Sequence, residues 1–87
     1  MSWPSPTLLT GCVRAYRLGF RAQADDALVR FLGALHEALE AQPDAATPAL
    51  ARLLEELHAA HDRQDGLHLA DLLAYRIAPL LPTPATG

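Results

Sequence analysis

The chain has no lysine, one cysteine and one tryptophan among its 87 residues. Each shortage excludes something. A lone Cys12 forms no intrachain disulfide, so the fold must hold without a covalent staple, and a reducing, cytoplasmic setting is expected. Seven arginines face ten acidic residues, for a net charge of -3. So mildly acidic a chain is a poor match to phosphates, and nucleic acid is not an expected partner. An arginine-only basic set points to a GC-rich bacterial coding sequence. No apolar run approaches the ~20 residues of a membrane span, so no membrane partner is expected. The opening MSWPSPT lacks the basic and apolar regions of a secretory leader. β-branched residues are sparse, with Val13, Val29 and Ile77 the main ones outside the threonines, which argues against a sheet.

Chemistry-bearing patterns are equally short. There is no HExxH, no Glu-x-x-His pair to complete a di-metal bundle site, and no recognisable Ser-His-Asp order. The expected protein is therefore not an enzyme and needs no cofactor.

What is abundant is leucine and alanine, within a hydrophobic share of 51%. Both are strong helix formers, and the expected class is all-α, in one helical domain over 1–87 with flexible ends at 1–5 and 82–87. The stretch from Val13 to Leu39 contains no proline. Around it Leu9, Cys12, Tyr16, Phe20, Ala24, Ala27, Phe31, Leu35 and Leu39 recur at helical spacing and form one stripe. Ser5-Pro6 supplies an N-cap and a first-position proline. The expected first arm is a single helix from about Pro6 to Ala41, with Gly19 letting a neighbour come close; a break at Ala24–Asp26 is the competing reading. Trp3 is expected to fold over an open end of the core.

Pro43 ends that arm, and Thr47-Pro48 restarts a helix by the same device as Ser5-Pro6. The second arm runs to about Leu81. Its first half is apolar through Leu50, Leu53, Leu54, Leu57 and His61, its second through Leu69, Leu72, Leu73, Ile77 and Leu80. The second stripe is turned by about a quarter turn from the first, more than supercoiling gives. A kink or break near Gln64 to Gly66 absorbs the offset. The expected fold is a long antiparallel helical hairpin with its second arm kinked or split near Gly66, pairing into a helical bundle. A compact three-helix bundle is the alternative.

Four groups of residues stand out. Leu18, Ala22, Val29 and Leu32 lie off the stripe of the first arm, and a two-helix hairpin cannot cover them. They are the expected interface of an obligate homodimer. Asp71, inside an apolar segment, is expected to pair with Arg17 or Arg21 across the hairpin. His58, His61, Asp62 and Asp65 fall at i, i+3, i+4 and i+7, a spacing able to present metal ligands, but too few for a tight site. The preferred reading there is structural, with His61 a hydrogen-bonded core histidine. Cys12, in the apolar stripe with no histidine at helical spacing, reads as a buried and inert thiol. Tyr16 and Tyr75 read as core rings with hydroxyls at the rim.

The segment Asp65-Gly66, Leu69-Ala70-Asp71-Leu72-Leu73 with Tyr75, and Pro79-Leu80-Leu81 resembles the ending of small, uncharacterised bacterial helical proteins. Tyr16-x-Leu18-Gly19-Phe20 with Gln23-Ala24 has a similar character. Proteins of that kind are associated with flagellar and surface-glycan systems. The resemblance implies all-α structure and supplies no catalytic residue. The expected function is a non-enzymatic helical protein-interaction module that self-associates. The alternatives are a small cytosolic chaperone or adaptor for a secretion or flagellar client, and a metal-binding helical protein using His58 and His61.

Overall fold

Proline and glycine punctuate the backbone where the chain changes direction. In the computed structural model, which describes residues 3–81, four α-helices follow one another: α1 (Pro6–Leu18), α2 (Arg21–Ala41), α3 (Pro48–Asp62) and α4 (Gly66–Asp71). A 3₁₀ turn at Pro43–Ala45 joins α2 to α3, and no strand occurs among the described residues. The all-α class and the bundle are as the composition implies. Residues 1–2 of the expected lead-in and the expected tail at 82–87 lie outside the described residues.

The helix starts follow the caps. Ser5 Oγ accepts from the Thr7 amide at 3.1 Å, and Thr47 Oγ1 accepts from the Leu50 amide at 3.2 Å. Each is followed by proline at the first helical position, where its missing N–H is no loss.

The first arm is not one helix. It breaks at Gly19, which adopts a left-handed φ of 82°. The Gly19 amide donates to Tyr16 O at 3.2 Å, and the Phe20 amide donates to Ala15 O at 2.9 Å. Those two bonds make a Schellman closure, which satisfies the last carbonyls of α1 and turns the chain back. A Cβ on Gly19 would meet nothing within 4 Å, so conformation rather than close approach selects glycine here. The break also lies before the competing site at Ala24–Asp26. One arm of Pro6–Ala41 would be about 54 Å long at 1.5 Å per residue. The molecule's longest dimension is 33 Å, close to the length of α2 alone. The long hairpin is therefore replaced by a folded-back bundle in which α1 packs on both α2 and α4.

The second break falls where the stripe changes phase. Gln64 takes a left-handed φ of 57°. Its amide donates to His61 O at 2.9 Å and that of Asp65 to Ala60 O at 3.0 Å, the same closure with glutamine in the glycine position. Asp65 Oδ1 then accepts from the His68 amide at 3.2 Å and caps α4. Beyond Asp71 the helix widens into a π-helical stretch, Leu72–Ile77, before a 3₁₀ turn at Ala78–Leu80. The wide turn ends just before Pro79, which has no N–H to donate and whose ring would crowd the carbonyl four residues back.

One apolar cluster joins all four helices. Phe31, Leu35, Leu57, Leu69, Leu73 and Ile77 are its largest fully buried side chains, and no charged side chain is buried among the described residues. Leu9, Cys12, Tyr16, Ala24, Phe31 and Leu35 of the expected stripe are buried, while Ala27 and Leu39 pack at its edge. Phe20 leaves it: the Gly19 turn throws its ring outward, 54% exposed. Leu80, beyond the π stretch, is also exposed. Trp3 is half-buried against the core, as expected.

Candidate functional site

The fold brings together a polar cleft and an apolar groove. The cleft, of about 260 Å³, opens where the ends of α1 and α3 meet the start of α2. The Gly19 turn places Asp25 beside Tyr16, and the Tyr16 hydroxyl donates to Asp25 Oδ1 at 2.5 Å. His61 Nε2 of α3 faces the same oxygen at 3.5 Å. Arg21 donates through Nη2 to Gln64 O at 2.8 Å, binding the start of α2 to the strained turn after α3. Burial, and then the hydrogen bond to Asp25, push the Tyr16 phenol well above the usual tyrosine range, so it stays a donor well into alkaline pH. The Tyr16–Asp25 bond ties α1 to α2, and the Arg21–Gln64 bond ties α2 to the turn after α3. His61 is half-exposed at the cleft, not the core histidine that the leucine pattern implied.

The groove, of about 370 Å³, runs between α2 and α3. The 3₁₀ turn joins these helices without bringing them into close packing. Leu32, Leu35, Leu39 and Leu54 line it, with His36 and His58 at its lips. Gly33 also lines it, and next to it α2 exposes Val29, at 70%.

The expected interface residues divide. Leu18 is exposed on α1, at 60%, and the Gly19 turn separates it from the others. Ala22 and Val29 are exposed on α2, and Leu32 is half-buried at the groove. Asp71 Oδ1 comes to 3.9 Å of Arg17 Nη2, with both side chains substantially exposed, and Arg21 is engaged elsewhere. Such a contact contributes under ~1 kcal/mol. Arg17 also donates to the Tyr75 hydroxyl at 3.1 Å and lies 5.4 Å from that ring's centre. Tyr75 is accordingly a surface ring, 65% exposed, and not a core one.

The four metal-spaced residues part company. His61 and Asp62 line the polar cleft, His58 stands at the apolar groove, and Asp65 caps α4. No group of three or more His, Cys, Asp or Glu side chains placed to hold a metal occurs among the described residues. Cys12 is fully buried, and its Sγ lies 3.6 Å from Ala24 O. Burial, with a smaller push from Asp25, raises its thiol to about 11.

Sequence reasoning missed the Tyr16–Asp25–His61 cluster, because a continuous helix does not bring Asp25 onto Tyr16. The available signal was Leu18-Gly19-Phe20, a glycine followed by an apolar residue at a helix end. No family model, curated protein or solved structure matches the chain.

Proposed function

We propose that the protein is a non-enzymatic helical interaction module that pairs with a second copy of itself. The outer face of α2 carries this reading. Val29 stands exposed there beside an apolar groove lined by Leu32, Leu39 and Leu54. Leu32, Leu39 and Leu54 pack against the core yet stay partly uncovered, and Val29 beside them lies outside the core cluster, so the face keeps apolar surface available to a partner.

The monomer closes its own core by folding α1 back on α2, which removes the main reason for expecting obligate association. Pairing then joins two folded subunits. Sedimentation equilibrium across the micromolar range tests it, with a melting temperature that rises with protein concentration as the companion readout. A monomer throughout, melting independently of concentration, would falsify the proposal. The hydrogen bonds from Tyr16 to Asp25 and from Arg21 to Gln64 O span helix ends across the polar cleft, which supports a structural role for it.

A further inference from the structure

Charge is unevenly placed along this chain. Residues 1–24 hold three of its seven arginines and none of its ten acidic residues. Such asymmetry in an acidic chain singles out one end for an anionic partner. Helix α1 carries the effect to the surface. Thr7, Gly11, Arg14 and Leu18 fall at i, i+4, i+7 and i+11 along one side of it, and all four are exposed. That side holds small, apolar or cationic residues from end to end.

The strip ends at the Gly19 turn, where residues 17–23 are exposed one after another. Leu18 and Phe20 flank the left-handed glycine at 60% and 54% exposure, and neither belongs to the core. Arg17 and Arg21 bracket them. The partners of these arginines leave the charge in place. Arg21 donates to the Gln64 carbonyl and Arg17 to the Tyr75 phenol, with Asp71 no nearer to Arg17 than 3.9 Å. Arg14 forms no ion pair among the described residues. The first acids of α2 are occupied: Asp25 accepts from Tyr16 at the cleft, and Asp26 is bridged to Arg30 at 3.2 Å.

Two large apolar side chains on a convex turn suit a fluid interface better than a protein surface. A protein partner needs a pocket shaped to each. The headgroup boundary of a bilayer admits both and sets arginines among its phosphates. We infer that α1 lies along an anionic membrane surface, with Leu18 and Phe20 inserted at the headgroup boundary and Arg14, Arg17 and Arg21 against the lipid phosphates. The contact is peripheral, since no helix among the described residues is long and apolar enough to cross a membrane. It uses a different face from the groove between α2 and α3, so self-association stands or falls separately.

The test is co-sedimentation of the full chain with vesicles of phosphatidylcholine alone and of phosphatidylcholine with about one-third phosphatidylglycerol. Binding is expected to the anionic vesicles only. It is expected to fall severalfold as sodium chloride rises from about 0.05 M to about 0.5 M. Arg14→Glu, and Leu18→Ser combined with Phe20→Ser, are each expected to weaken it about fivefold or more. All three positions are exposed, and circular dichroism checks that the variants keep their helices. If the apolar pair alters the fold, Arg14→Glu and the salt response still decide. Arg52→Glu makes the same charge change at an exposed site on α3 and is expected to bind like the wild type. Equal losses from Arg14→Glu and Arg52→Glu would mean that net charge alone is read, and overturn this surface. Equal binding to uncharged vesicles overturns the role of the arginines. No binding to either vesicle overturns the membrane contact, and capture by a polyglutamate peptide instead assigns the corner to an acidic protein.

Discussion

Tyr16 of α1 donates its phenolic hydrogen to Asp25 of α2, nine residues later, across the turn that Gly19 makes. The bond locks the fold-back at its open side. Tyr16→Phe removes the donor and leaves a partly exposed carboxylate facing a ring. Hydrogen bonds to charged groups contribute about 1.5–3 kcal/mol, and a loss near the lower end is expected because water reaches Asp25. Urea unfolding measures it. An unchanged midpoint would mean that the bond contributes nothing to stability.

Gln64 occupies a position that favours glycine. Its φ of 57° strains any residue with a Cβ, by about 1–2 kcal/mol, while its neighbours require the turn. Gln64→Gly is expected to stabilise the fold, offset in part by the greater freedom of glycine in the unfolded chain. The hydrogen bond from Arg21 goes to the backbone carbonyl and survives the change. A drop in melting temperature would contradict the expectation.

Cys12 sets a pH limit. In the unfolded chain its thiol ionises near 9.0; in the fold it holds its proton to about 11. Between those values unfolding releases a proton, so rising pH favours the unfolded state. The contribution is fully present below pH 9 and lost as pH climbs through about 11. Tyr16, also raised, pushes the same way. Urea midpoints should fall across that window, and less steeply for Cys12→Ala. At pH 8 the native thiol should react with a maleimide far more slowly than the unfolded one; equal rates would contradict its burial.

Helical periodicity located most of the core because it depends only on local phase. Leu9, Cys12 and Tyr16 share a phase within α1, as do Ala24, Phe31 and Leu35 within α2, so their burial survived the break between them. Phe20 sits on the break itself and lost its place. The offset between Leu57 and Leu69 revealed the Gln64 turn, since a continuous helix cannot bury both stripes on one side. Glycine at position 19 gave no comparable phase signal. The polar cleft depends on which helix folds onto which, and pattern alone does not carry that. Tyr75 and Arg17 meet only because α1 packs against the π-helical stretch Leu72–Ile77.

Gly19 and Gly33 give opposite expectations for one substitution. Gly19 holds a left-handed backbone, and its amide closes α1; alanine there keeps the bond only by adopting a strained φ. Gly19→Ala should therefore destabilise the chain by about 1 kcal/mol or more. Gly33 has an ordinary helical backbone and open space where a Cβ would stand. Gly33→Ala should stabilise the subunit by up to ~1 kcal/mol through helix propensity. Both are measured in dilute solution, where mass action separates any paired copies. Urea unfolding at one protein concentration then reads the two effects directly. Equal signs for the two variants would show that backbone conformation is not what distinguishes these glycines, and would remove the physical account of the α1–α2 turn.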